Sequence, residues 1–334
     1  MLHQQLVELC GFDNATHQLT GLYCSGPAQE LKNWFDSVDF EKLPPEVTCM
    51  AAVAGSSAQF EGVPQPLIPR LRGIIKYVHT LNSGMMAGVC ALAAALNRAD
   101  LPVLLLEDTA LYMHHAELPQ RHLWQMCIGV RTRDYAQTLN IARECGFTVE
   151  TFPNAASLRQ GVTRQITVIP VDDASYLWHG AQELKKGNAV FLCPESAAIL
   201  IEISQRAFRS LTKQTARVAM VRWCMDVKLL SELMTDADWL RAVQIAKGEH
   251  ACSHMNLLFA AYRAITGADL PQTALFGNGR DVRRTLRLLH ALRRCPETGH
   301  RIRRRYLLCR LRRPDSMVHS CAIFLKGVLR KLST

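Results

Sequence analysis

The sequence predicts an α+β protein: a small mixed β-sheet core flanked by helices and followed by a helical C-terminal half. Three observations carry this expectation. Between Leu101 and Phe147, short apolar runs alternate with helical patterns, giving strand, helix, strand, helix. From Ile68 to Arg98, Ile74, Ile75, Val78, Leu81, Met85, Val89, Leu92 and Leu96 fall close to helical spacing. Beyond Cys193, apolar residues keep that spacing as far as Ile265.

Residues 1–66 read as an N-terminal helical extension. His3–Cys10 suggests one helix and Ala28–Phe40 another, with Leu31, Trp34, Phe35 and Val38 on one side. Pro44-Pro45 interrupts the pattern, and the Pro64–Pro69 connector marks the first boundary. An α/β core is expected over 67–172. Its long first helix carries Gly84 and Gly88, positions of close packing or of a break, and alanines 87, 91 and 93–95 let it lie tightly on a sheet. Leu101–Leu106 reads as a buried strand, Glu107–Tyr112 as the start of a helix, and Arg121–Val130 as a second strand. A helix through Leu139 and Ala142 closes at Gly146-Phe147. Thr148–Phe152 reads as a third strand, Pro153–Arg159 as a loop and Gly161–Pro170 as a fourth strand, with Asp172-Asp173 capping a helix from Ala174.

Residues 173–275 read as helical. Cys193-Pro194-Glu195-Ser196 is a good helix opening, with proline in the first turn and an acid near the positive end. Ala216–Leu233 follows, then a helix through Trp239 capped by Asp236 or Asp238, then Met255–Ile265, stopped by Gly267 and Pro271. The tail, 276–334, holds two amphipathic segments, 281–294 and 316–332.

With 49% hydrophobic and 20% charged residues, the composition is that of an ordinary globular protein. The best apolar stretch, Met85–Leu106, is interrupted by Asn97-Arg98-Ala99-Asp100, so no spanning helix is expected, and no secretory signal is read at the N-terminus. The twelve cysteines are scattered singly, which predicts reduced, mostly buried thiols in a cytoplasmic protein rather than a disulfide framework or structural zinc. The net charge of +10 is local: residues 280–313 hold thirteen arginines, no lysine and two acids. Arginine forks bind phosphate oxygens in pairs, so Arg283, Arg284, Arg287, Arg303, Arg304 and Arg305 are candidate anion-binding residues. Nucleic acid, an anionic lipid surface, an acidic protein, or simply a solvated basic face all fit. Tyr306 is the one aromatic residue within 280–313, which argues against base stacking on single strands.

The central stretch resembles the polymerase-β-like nucleotidyltransferases, in particular a large bacterial branch of that superfamily. Members typically read Ile-Pro-Val-Leu-Leu-Leu-Lys-Gly, then an arginine, then an Asp-Ile-Asp strand, then a helix ending in Gly-Tyr or Gly-Phe. Leu101–Leu106 with Thr109-Ala110-Leu111 matches the first block, Arg121 the arginine, Ile128 and Val130 the strand, and Gly146-Phe147 the close. Pro194-Glu195, Trp223 with Asp226, and Asp238-Trp239 match the order of the branch's C-terminal half, so the resemblance covers roughly 68–272. It implies a nucleotidyltransferase core whose catalytic set is lost. Glu107-Asp108 stand in place of Lys-Gly, Gln125 and Cys127 in place of the two strand acids, and Thr167 in place of the third acid.

The chemistry explains why these departures matter. Nucleotidyl transfer uses carboxylates because Mg²⁺ prefers hard oxygen ligands, and an Asp-x-Asp strand puts both on one face. Gln offers a neutral carbonyl, and Cys is a soft ligand. The expectation is therefore a pseudoenzyme with no metal and no cofactor, its vestigial cleft formed by Glu107, Asp108, Thr109 and Arg121 and serving in binding or regulation. A nucleotide or other phosphate-bearing ligand is a possible partner. The first alternative is an active enzyme, using Mg²⁺ with a nucleoside triphosphate, in which Glu107 and Asp108 are relocated ligands. Against it, adjacent acids on extended chain point to opposite faces, and both also serve as first-turn acids of a helix. The second alternative is a nucleic-acid- or anionic-surface-binding protein that uses the arginine-rich tail. Cys127 as a nucleophile would need a base such as His114, His115 or His122; a buried strand cysteine is the plainer reading. His250 and His254, four apart, are a metal pair or surface histidines, and Gly277-Asn278-Gly279 reads as a turn.

Overall fold

In the computed structural model, residues 14–25, 28–114, 123, 126–161, 164–212, 216–267 and 270 are described. The expectations for His3–Cys10, Arg121, Gln125, Gly277–Gly279, the tail arginines and the two tail segments lie outside these residues.

Three helices precede the core: α1 (Asn14–Ser25), α2 (Ala28–Ser37) and α3 (Pro45–Ser57). Pro44 and Pro45 begin α3, where a missing N–H costs nothing because the first turn has no acceptor for it. These helices bury Leu19, Leu31, Trp34, Phe35, Val47 and Met50 around Leu71 and Met225. The Trp34 indole N–H closes the cluster by donating to the Ala15 carbonyl at 2.9 Å.

Helix α4 runs Ile68–Arg98 without a break at Gly84 or Gly88. It is long and apolar enough by length and composition to cross a membrane, and half of its most apolar window is packed inside the protein. Its Val89, Leu92, Ala93 and Leu96 lie in the main core, against one face of the sheet. Asn97 at its end accepts the Val190 N–H at 2.8 Å, and Asn82 accepts that of Leu123 at 3.1 Å, which pins the helix to a strand residue and to Leu123.

The sheet has seven strands in the order β3-β4-β5-β2-β1-β7-β6. They are β1 (Leu104–Leu106), β2 (Met126–Arg131), β3 (Thr148–Phe152), β4 (Ala155–Gln160), β5 (Arg164–Val171), β6 (Gln182–Lys186) and β7 (Ala189–Cys193). Strands β2 with β5 and β1 with β7 run parallel and the other pairs antiparallel, so the sheet is mixed, as expected. Between the strands lie α5 (Glu107–His114) and α6 (Tyr135–Glu144).

Three expectations fail here. Residues 153–159 are not a loop: Pro153-Asn154 is a two-residue turn, Phe152 pairs with Ala155, and the chain returns as β4. Residues 182–193 are not helical but form the β6–β7 hairpin, which places β7 beside β1. Its two-residue turn, Gly187-Asn188, uses the positive φ of Gly187 (+61°). That turn signal was present in the sequence; the charged run Gln182–Lys186 hid it, because β6 is an exposed edge strand with no apolar alternation. The Asp172 carboxylate accepts the Ala174 N–H at 3.1 Å and starts a series of turns, not a helix.

Strand periodicity sorts the sheet into two faces. Leu105, Met126, Ile128, Ile166 and Val168 face α4 and the main core. Leu104, Leu106, Cys127 and Val171 form a smaller cluster on the other face, with Leu177, Trp178 and Ala181 of the turn segment against it.

The helical half comprises α7 (Ser196–Thr212), α8 (Ala216–Leu233), α9 (Asp236–Gly248) and α10 (Cys252–Thr266). Thr235, rather than either aspartate, is the N-cap of α9, and Asp238 completes a capping box by accepting the Thr235 N–H at 2.8 Å. Gly267, at φ +70°, ends α10 in the left-handed conformation. Helix α7 packs against α8, α9, α10 and α5, so it joins the helical half to the sheet.

A Cβ at Gly129 of β2 would lie 2.8 Å from Val171 Cγ2 and 3.1 Å from Leu106 Cδ1. Gly129→Ala is therefore expected to cost about 1–3 kcal/mol by overpacking, read from the urea midpoint at unchanged slope.

Candidate functional site

The chain leaves β1 at Leu106 and enters α5 through Glu107, whose φ is +56°. A non-glycine residue there crowds its Cβ against the backbone at roughly 1–2 kcal/mol, so other contacts must hold it. The Glu107 N–H donates to Glu202 Oε2 at 2.9 Å, and its carboxylate accepts from the Cys127 thiol at 3.0 Å and from Arg206 Nη2 at 2.9 Å.

This turn corrects the expectation that the adjacent acids diverge. Because the backbone reverses at Glu107, both carboxylates converge on one cation: Arg206 Nη1 lies 3.2 Å from Asp108 Oδ1. Arg222 of α8 lies 3.6 Å from Asp108 Oδ2. The side chains are 14%, 11% and 22% exposed for Glu107, Asp108 and Arg206. Burial would lower the Arg206 pKa, but Glu107 first, then Asp108, Cys127 and Glu202, raise it above its ordinary value. Both acids also sit in the first turn of α5, as the capping reading expected.

Cys127 lies on the smaller-cluster face of β2, and its backbone N–H donates to Thr109 Oγ1 at 2.6 Å. The ladder sets Cys127 beside Thr167, and Thr167 beside Ser157 of β4. The two positions matched to family acids on β2 and β5 are thus neighbours across one pair of strands. Burial, followed by the charge of Glu107, raises the Cys127 thiol well above its ordinary 9.0, so it is neutral and poorly suited to be a nucleophile.

The donor set does not fit Mg²⁺. Cys127 and Thr167 supply no carboxylate, Glu107 and Asp108 are engaged by guanidinium groups, and among the described residues no group of three or more His, Cys, Asp and Glu side chains is placed to hold a metal. The histidine pair is also separated: His250 lies in the turn before α10, at φ +53°, while the His254 ring packs on Phe208 at 4.3 Å.

Glu202, Arg206 and Arg222 were not singled out from the sequence. A signal existed, since Glu202 interrupts the apolar run Ala198–Ile203 and is 7% exposed, with Arg206 one helical turn later. What the sequence withheld is that this turn of α7 faces the end of β1.

Comparison with known proteins adds little. No family model matches the chain, and no curated protein does. Among solved structures, the chain is similar to the antibiotic-resistance factor ANT(2'')-Ia, an aminoglycoside nucleotidyltransferase. The alignment covers 52% of this chain and 96% of that one, at 15% identity and a TM-score of 0.29. At that score the likeness carries no argument about activity.

Removing Arg206 takes the guanidinium that Glu107 and Asp108 share from two largely buried carboxylates, so Arg206→Gln is expected to cost about 3 kcal/mol in a denaturant melt. The cysteines set a pH dependence. Burial raises Cys24 and Cys193 from 9.0 to about 12, and Cys127 moves in the same direction. The folded state therefore keeps protons that the unfolded state releases. Stability from this source is fully present below pH 9.0 and falls as pH rises toward about 12. Urea melts at pH 8 and pH 10 should show the fall, and Cys24→Ser and Cys193→Ser should reduce it.

Proposed function

We propose that this chain is a nucleotidyltransferase-fold protein whose cleft serves binding or regulation and does not carry out metal-dependent nucleotidyl transfer. One observation carries the reading: the acids at the end of β1 are neutralised by Arg206 and Arg222, while the strand positions beside them hold Cys127 and Thr167. Two-metal transfer needs several anionic oxygens facing the triphosphate, and this cleft presents guanidinium groups, a thiol and a hydroxyl.

Calorimetric titration with ATP, GTP, CTP and UTP, each with and without Mg²⁺, tests this. The reading expects Mg²⁺ to give no gain in affinity and no pyrophosphate to be released. Metal-dependent binding of one nucleotide, lost in Glu107→Gln, would establish the active alternative with relocated carboxylates.

A second reading rests on composition. Thirteen arginines and two acids within residues 280–313 make a segment suited to phosphate-rich polymers. Duplex DNA or RNA affinity should then fall steeply as salt rises, and deletion of 280–334 should abolish it. A flat salt dependence would leave a solvated basic face.

A further inference from the structure

We propose that Arg206 is a tethered counter-cation that keeps divalent metal out of the cleft. The inference rests on the metal-independent reading above and assigns that property to one side chain.

One guanidinium reaches across from α7 to α5 and contacts two carboxylates at once, Glu107 at 2.9 Å and Asp108 at 3.2 Å. Glu202, one helical turn before Arg206, turns a carboxylate toward the same corner and accepts the Glu107 N–H. Three acids from two elements thus act on Arg206, and Arg222 approaches the far oxygen of Asp108 at 3.6 Å. A planar, permanently charged fork fills such a corner without needing water or a metal. As folded, the described residues offer no three-ligand metal group. Without the guanidinium, however, Glu107 and Asp108 remain side by side, and ions of the Mg²⁺ and Mn²⁺ type bind through one or two carboxylates with water completing the shell. Buried carboxylates that have lost their shared guanidinium would also favour any cation that restores the charge balance.

The probe is Mn²⁺ alone, titrated into the full chain and followed by calorimetry and thermal melting. Wild type should show no saturable uptake and no shift in melting temperature. Arg206→Gln should gain a saturable site and be stabilised by Mn²⁺, and adding Glu107→Gln to that variant should remove both effects. Saturable uptake by the wild type, or no gain in folded Arg206→Gln, overturns the proposal. If Arg206→Gln does not fold, Arg206→Lys replaces it. Its ammonium keeps the charge but lacks the planar fork and the reach of the guanidinium, so it is expected to hold the two carboxylates less firmly and to bind Mn²⁺ more tightly than wild type, and equal uptake overturns the proposal. Unchanged uptake would leave the functional reading standing, whereas metal-dependent nucleotide binding by the wild type would sink that reading instead.

Discussion

The contact on which this structure turns is the bridge from Arg206 to Glu107 and Asp108. It joins the end of β1 to α7, and α7 in turn packs against α8, α9 and α10. A left-handed glutamate at the strand-to-helix turn would be a strained choice in isolation. Here the Glu202 acceptor, the Cys127 thiol and the Arg206 fork together hold it. Exposed ion pairs contribute little, but this one is shielded enough that losing either side strands a charge. The same bridge that fixes the junction also sets the charge balance at the end of β1.

The two sheet faces explain why the charged corner lies where it does. The face under α4 is continuously apolar, with Leu105, Ile128 and Val168 fully buried, and leaves no room for polar chemistry. The opposite face carries the shorter cluster around Leu106 and Cys127, and there Thr167 and Ser157 continue the row. Polar groups therefore gather on one side of the sheet and at one end of β1, which is where α7 delivers its arginine.

Much of this was legible in the sequence. The α+β class and the limits of α4 and α8 follow from spacing and alternation, while Cys127 and Thr167 were pointed to by the family resemblance and only the ladder pairs them. The β6–β7 hairpin was not read, because an exposed edge strand rich in lysine and glutamate has no apolar pattern to betray it. Nor was the Arg206 bridge. Glu107 and Arg206 are 99 positions apart, and only the packing of α7 against α5 brings them together. The acids were read as divergent because extended chain was assumed, and the positive φ of Glu107 reverses that geometry.

A double-mutant cycle on Glu107→Gln and Arg206→Gln, followed by urea denaturation, tests the central claim most directly. If the bridge organises the junction, the single changes are each costly and the double costs much less than their sum, with a coupling of about 1–3 kcal/mol. Additive effects would mean that the two side chains act independently, and would contradict the account.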